Sequence, residues 1–212
     1  LGRDLIKLFN YLTGYARNQY FDRLLVAPIN LRQRMVEMIE RERDFARNNR
    51  HARIIAKMNS LVDPQIIQKL YEASQAGVKI DLIIRGMCCL RPGLKGVSDN
   101  IRIISIIGRF LEHSRIFYFQ NNGQDEIYIG SADWMNRNLS CRVEAVVPIE
   151  NPHLKQDLRD LLDLYLTDQR QAWELQSDGT YIQRRPEPEA DDRGVHQILM
   201  EQTLASVAPS HG

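Results

Sequence analysis

The sequence predicts an α/β or α+β sandwich built around one mixed β-sheet, and three features carry that reading. Strands and amphipathic helices alternate over residues 21–84, strands joined by hairpin signals crowd residues 101–149, and the unbroken Leu82-Ile83-Ile84 end suits a strand covered on both faces.

Each element has its own warrant. Leu5, Ile6, Leu8, Phe9 and Leu12 before Thr13-Gly14 mark a short helix ended by glycine, with a polar connector through Gln19; residues 1–20 are expected to be the tail of a preceding domain. Leu24 to Val26 is a strand stopped by Pro28, and Leu31, Met35, Met38, Ile39 and Phe45 repeat at helical spacing over 31–48. Ala52 to Met58 forms the next strand. Asp63 and Pro64 supply an N-cap and a first-turn proline for a helix that Gly77 closes after Ala76. Val78 to Ile84 then delivers Arg85-Gly86 into a loop holding Cys88, Cys89, Arg91 and Lys95. Strands are expected at Ile101–Ile107, Arg115–Gln120 and Glu126–Ile129, the last two joined by Asn121-Asn122-Gly123, and another at Ala145–Ile149. Asn151 caps a helix from Pro152 to Leu166, and Ser177-Asp178-Gly179 turns a small hairpin between Trp173–Leu175 and Tyr181–Gln183. The main domain is thus expected over 21–185. An acidic and polar tail over 186–212 is expected to be loose apart from a short helix near His196 to Leu204.

Length and charge narrow the function classes. The 212 residues, 43% of them apolar, can bury one good-sized core. Twenty-eight basic residues against 27 acidic ones give a net charge of +1, so no global field draws in a polyanion and any anion site must be local. Extended nucleic-acid binding, which needs a basic stripe, is disfavoured. Cys88, Cys89 and Cys141 are odd in number and lack metal spacing, which fits packing in a reducing cytoplasm. No apolar run reaches bilayer length and the first residues lack a signal-peptide pattern; because it opens on Leu1 inside an amphipathic pattern, the chain is expected to be a piece of something longer.

The chemistry concentrates in a few places. His113 and Arg115 stand two positions apart at the expected start of a strand, so both side chains should share a face. Chemistry at phosphorus needs this pairing of a group that exchanges protons near neutral pH with a fixed cationic fork. By itself such a pair more often satisfies a strand end. Downstream, Gly130-Ser131 ends a strand where backbone and hydroxyl can donate to an anion, although small residues there often serve the turn. Arg85, at a strand end before glycine, is placed for bidentate phosphate contact, against the default of a surface ion pair. Lys57 is evenly balanced between a phosphate contact and a solvated lysine. Arg91 and Lys95 could line a polyanion path. His51, His153, His196 and His211 lack partners at useful spacing and read as structural or exposed, and Trp134 reads as a lid over the core.

Together His113-x-Arg115 and Gly130-Ser131-x-Asp133 resemble one half of the phospholipase D superfamily signature, in which two halves face each other across a phosphate. That family usually has lysine where Arg115 stands and aspartate where this chain has Gln120, which weakens a phosphodiesterase reading. The runs Leu8-Phe-Asn-Tyr-Leu-Thr-Gly14, Leu24-Leu-Val-Ala-Pro28, Ile55-Ala-Lys-Met-Asn-Ser60, Ile84-Arg-Gly-Met-Cys-Cys-Leu-Arg-Pro-Gly93, Gly108-Arg-Phe-Leu-Glu-His-Ser-Arg115 and Gly130-Ser-Ala-Asp-Trp-Met135 look like the C-terminal third of polyphosphate kinases.

That resemblance implies a phospholipase D-like mixed β-sheet flanked by helices, and reversible transfer of the terminal phosphate of ATP to polyphosphate. It implies Arg85 and His113 as phosphate-binding residues, with His113 as acid or base; Arg115, Lys57 and Ser131 stand beside them as weaker candidate contacts on their own residue chemistry. Mg²⁺ ligands and the histidine that becomes phosphorylated are expected upstream, so the chain alone should be inactive. The implied partners are ATP or ADP and polyphosphate, without nucleic acid, in a homo-oligomeric full-length enzyme of the cytoplasm, peripheral association with the inner membrane also being open. Two alternatives stand beside it. A phospholipase D-type hydrolase or phosphatidyltransferase would use His113 as nucleophile, and a non-catalytic module would only bind polyanions.

Overall fold

Side-chain alternation along the central strands sets the architecture. The computed structural model of the chain describes residues 1–15, 20–186 and 193–207. Its elements are α1 (Gly2–Leu12), β1 (Leu25–Ala27), α2 (Leu31–Arg47), β2 (Arg53–Met58), α3 (Pro64–Gln75), β3 (Lys79–Ile84), β4 (Ile101–Ile106), β5 (Ile116–Phe119), β6 (Glu126–Gly130), β7 (Glu144–Ile149), α4 (Pro152–Thr167), β8 (Ala172–Leu175), β9 (Tyr181–Gln183) and α5 (Val195–Val207). The strands form one nine-stranded sheet in the order β1-β7-β6-β5-β2-β3-β4-β8-β9. Strands β2, β3 and β4 run parallel, and every other neighbouring pair is antiparallel. Both margins are three-residue strands, β1 and β9.

Successive residues of β2 go to opposite faces. Ile54, Ala56 and Met58 join α2 and α3 in one core with Met35, Ile39, Ile66 and Leu70, while Ile55 joins Leu162 and Tyr165 of α4 and Val195 of α5 in a second. Ile54 and Ile55 are both 0% exposed, which shows that the sheet centre is covered on both sides. Each such buried side chain contributes roughly 1.5–3 kcal/mol relative to exposure. A smaller cluster of Phe21, Leu24 and Val26 lies under Leu8 of α1, where the buried Asp4 carboxylate accepts hydrogen bonds from the backbone of Asp22, Arg23 and Leu24.

Local chemistry sets the boundaries. Asp63 accepts from Ile66 N at 3.0 Å and Asn151 from His153 N at 2.9 Å, with proline in the first turn of both α3 and α4. Between β5 and β6, Asn121, Asn122 and Gly123 take positive φ values of 44°, 52° and 88°, a backbone that asparagine and glycine tolerate best. The structure shifts one expected boundary that matters. β5 begins at Ile116, so His113 and Arg115 lie in the connection before it. A π-helical turn at Arg137–Cys141 was not foreseen from the sequence. The polar connector at 16–19, part of the acidic stretch after Arg185 and His211 lie outside the described residues. Val195 and His196 at the start of α5 are buried.

Glu42 of α2 is fully buried, its carboxylate accepting from Arg53 N at 3.2 Å and Asn121 N at 2.9 Å. Burial pushes its pKa from an ordinary 4.5 up to about 7, against the lowering pull of the Asn121 N–H and Arg41. With the folded value above the unfolded one, its favourable contribution is complete below pH 4.5 and is lost as pH rises through 7. Urea denaturation across that window should show the wild type losing stability relative to Glu42→Gln as pH rises. Parallel pH profiles for the two proteins would refute this.

Candidate functional site

Lys57 and Arg85 reach the same rim of the sheet because β2 and β3 pair in parallel with Lys57 opposite Ile83. A period of two then places Ile55, Lys57, Ile83 and Arg85 on the face turned toward α4. The connection between β4 and β5 crosses this rim and brings His113 with it. An Arg85 Nη2 to His113 Nε2 distance of 3.4 Å joins the guanidinium to the imidazole. His113 is exposed, and Arg85 is half-buried with its Nη1 enclosed and without a hydrogen-bond partner. Among the described residues no carboxylate pairs with Arg85.

The neighbouring cations are occupied. Lys57 is buried; its amine donates to Ser114 Oγ at 2.8 Å, lies 3.4 Å from Glu112 Oε2 and sits 4.9 Å from the Tyr165 ring centre. Burial, with Arg85 and Arg115 close by, holds its pKa below the usual lysine value despite the attraction of Glu112. It is therefore no solvated lysine. Glu112 also accepts from the Tyr165 hydroxyl, whose pKa is raised by burial and by that carboxylate.

Arg115 forms a fork with Asp133, Nε to Oδ1 at 3.1 Å and Nη2 to Oδ2 at 3.2 Å, and its Nη1 donates to the His113 carbonyl at 2.6 Å. Asp133 Oδ1 also accepts from Asn59 N at 2.8 Å. The expected shared face for His113 and Arg115 is thus corrected. The chain before Ile116 is outside the ladder, so the two side chains part, His113 toward Arg85 and Arg115 toward Asp133. Ser131 is likewise engaged within the sheet, its N–H on Ala145 O at 3.0 Å and its hydroxyl on Glu144. A Cβ on Gly130 would come within 2.5 Å of Ala145 O, so this Gly-Ser pair serves the close crossing of β6 and β7.

Other candidates fall away from the rim. Arg91 donates to the Ser177 carbonyl in the β8–β9 turn, and Lys95 is exposed. The Cys88 thiol, raised to about 11 by burial, donates to Leu90 O at 3.6 Å. His51 and His153 are exposed. Trp134 is fully buried and stacks on Phe117 at 5.2 Å, and its carbonyl accepts from Val62 N and Asp63 N ahead of α3. The support that sequence reasoning missed is Glu112 and Tyr165, together with the pairing of Asp133 to Arg115 and of His196 to Phe110. Glu112 was the findable one, since it adjoins His113.

Among the described residues no three His, Cys, Asp or Glu side chains come together to hold a metal ion. The two carboxylates nearest the site, Asp133 and Glu112, already neutralise Arg115 and Lys57. The donor set near the site does not by itself fit a magnesium ion, whose ligands the resemblance assigns to the portion upstream. Among the described residues no helix is long and apolar enough to cross a membrane.

A mixed sheet covered on both faces, with imidazole and guanidinium at its rim, has the phospholipase D-like fold. Nuc, a phospholipase D family member from Salmonella typhimurium, superposes with a TM-score of 0.54 over 73% of this chain and 97% of Nuc, at 16% identity. The chain belongs to the polyphosphate kinase C-terminal domain 2 family, which it matches over residues 24–194. It is 63% identical over 211 residues to a polyphosphate kinase of Thermosynechococcus vestitus, covering 100% of this chain and 29% of that protein. With the Pseudomonas aeruginosa enzyme the identity is 51% over 207 residues, 98% of this chain and 30% of that protein. The crystal structure of polyphosphate kinase from Porphyromonas gingivalis superposes with a TM-score of 0.90 at 37% identity, over 96% of this chain and 31% of that one. The chain thus corresponds to the C-terminal part of a polyphosphate kinase and spans under a third of these relatives' length.

Breaking the Arg115–Asp133 fork leaves a largely buried charge without its partner. Asp133→Ala should lower the unfolding free energy by about 3 kcal/mol in chemical denaturation. A change within experimental error would show that the fork holds nothing in place.

Proposed function

We propose that this chain supplies one wall of a phosphotransfer site at which the terminal phosphate of ATP moves reversibly to polyphosphate. The observation that carries the reading is the unmatched Arg85 guanidinium beside the exposed His113 imidazole. Lys57 and Arg115 each have a carboxylate, whereas Arg85 keeps an enclosed Nη1 without a partner. A phosphate oxygen satisfies such a fork with charge-assisted hydrogen bonds.

On this reading Arg85 holds non-bridging oxygens as the P–O bond to the nucleotide breaks and the bond to the acceptor oxygen forms, stabilising charge that the transfer spreads over them. His113 lies close enough to contact the same oxygens and to give or take a proton. Arg115 and Lys57 act behind it, Arg115 by holding the His113 carbonyl and Lys57 by donating to Ser114, while Ser131, engaged with Glu144, is left out of the contact. The remaining wall, including the histidine expected to carry phosphate, belongs to the portion of the enzyme upstream. Dividing the transfer over a phosphohistidine would give two easier steps. The exposed apolar residues of α1, Leu5, Ile6, Phe9 and Leu12, support assigning residues 1–20 to the end of that preceding domain.

The test is made in the intact enzyme and in the isolated chain. Arg85→Ala should lower ATP-dependent polyphosphate synthesis on the order of 100-fold or more, with Arg85→Lys recovering part of it. His113→Ala should be similarly impaired. The isolated chain should make no polyphosphate, and robust synthesis by it would overturn the two-walled reading. Hydrolysis of a chromogenic phosphodiester, abolished by His113→Ala, would instead support a phosphodiesterase.

A further inference from the structure

The connection that carries His113 is not held by the sheet alone. Helix α5 lies across it, and the contact is built from both sides. His196 is 2% exposed; its Nδ1 accepts from Phe110 N at 3.3 Å, and its ring meets the Phe110 ring at 5.4 Å between centroids. With Nδ1 as the acceptor, the ring proton sits on Nε2, which is buried without a hydrogen-bond partner and lies 3.6 Å from Glu112 Oε2. One imidazole therefore touches the residues three and one before His113.

Two glycines permit this approach. A Cβ on Gly108 would fall 2.5 Å from His196 Nδ1 and 2.3 Å from Gln171 Nε2, and one on Gly194 would fall 2.4 Å from the Gln171 side chain. The start of α5 is itself fixed. Asp168 Oδ2 accepts from Val195 N at 2.6 Å, while its other oxygen accepts from Arg170, Gln171 and Ala172 N; Gln171 Oε1 accepts from His196 N at 3.2 Å. Glu112 completes the frame by joining His196 to Tyr165 of α4 and to Lys57 of β2.

We infer that α5 is a clamp that sets the position of His113 against Arg85, with His196 as a positioning residue acting through Phe110 and Glu112. The inference rests on the proposed role of Arg85 and His113. His196 touches no phosphate in this scheme, and Arg85 directly follows β3, outside the clamped connection. Loosening the clamp should therefore slow transfer while leaving nucleotide binding nearly intact.

The experiment uses the intact enzyme with His196→Phe, which keeps a ring but no acceptor, and His196→Asn, whose Oδ1 can stand where Nδ1 stood. Amide hydrogen exchange at residues 108–113 and steady-state kinetics are read in parallel, with β2 and β3 amides reporting that the fold is intact. Expected for His196→Phe are exchange at Phe110 faster by about tenfold and kcat lower by roughly 10- to 100-fold with KM for ATP little changed, and His196→Asn should recover most of both. Unchanged exchange in His196→Phe would overturn the clamp. Faster exchange with unchanged kcat would overturn its positioning role. His113→Ala serves as the reference. Should that variant transfer phosphate normally, the reading of the site itself fails, and the exchange data still report independently whether α5 holds the connection.

Discussion

The parallel pairing of β2 with β3 is the constraint on which the rest of the molecule depends. It places Lys57 and Arg85 side by side at one rim, and it does so only in this register. A slip of one residue in β3 would turn Arg85 toward α3 and drive Ile80, Leu82 and Ile84 out of the core they share with α2 and α3. Burial on both faces thus fixes the register, and the register fixes which side chains share the rim.

Charge matching then divides the labour at the rim. Three cations, Lys57, Arg85 and Arg115, converge where the protein as a whole carries a net charge of +1. Lys57 is answered by Glu112 and Arg115 by Asp133, so these two pairs hold the backbone of the connection through Ser114 and the His113 carbonyl. Of the three, Arg85 alone has no carboxylate partner, and in the proposed function it is the one that meets the incoming anion. A field confined in this way acts at contact range, since salt screens exposed charges beyond roughly 8–10 Å.

Much of this was legible in the sequence, for physical reasons that can be named. Alternation and helical spacing placed most of the elements, and Asp63-Pro64, Asn151-Pro152 and Asn121-Asn122-Gly123 marked boundaries through capping and left-handed turn chemistry. Arg85 was legible as a strand-end arginine before glycine. The pairing of Arg115 with Asp133 was not, because those residues are 18 apart and their contact depends on how β5 and β6 meet. Extending the two-residue period back through Arg115 failed since the ladder starts at Ile116. His196 was invisible as a partner of Phe110, 86 positions away, and α5 carries no strong apolar stripe to announce where it docks.

The brevity of the two outermost strands bears on how this protein can associate with others. Three residues at each margin offer few free backbone groups, so a foreign strand would gain little by adding itself there. Self-assembly by lengthening the sheet is thereby discouraged, which leaves helix faces and side-chain surfaces as the better ground for contact with another polypeptide.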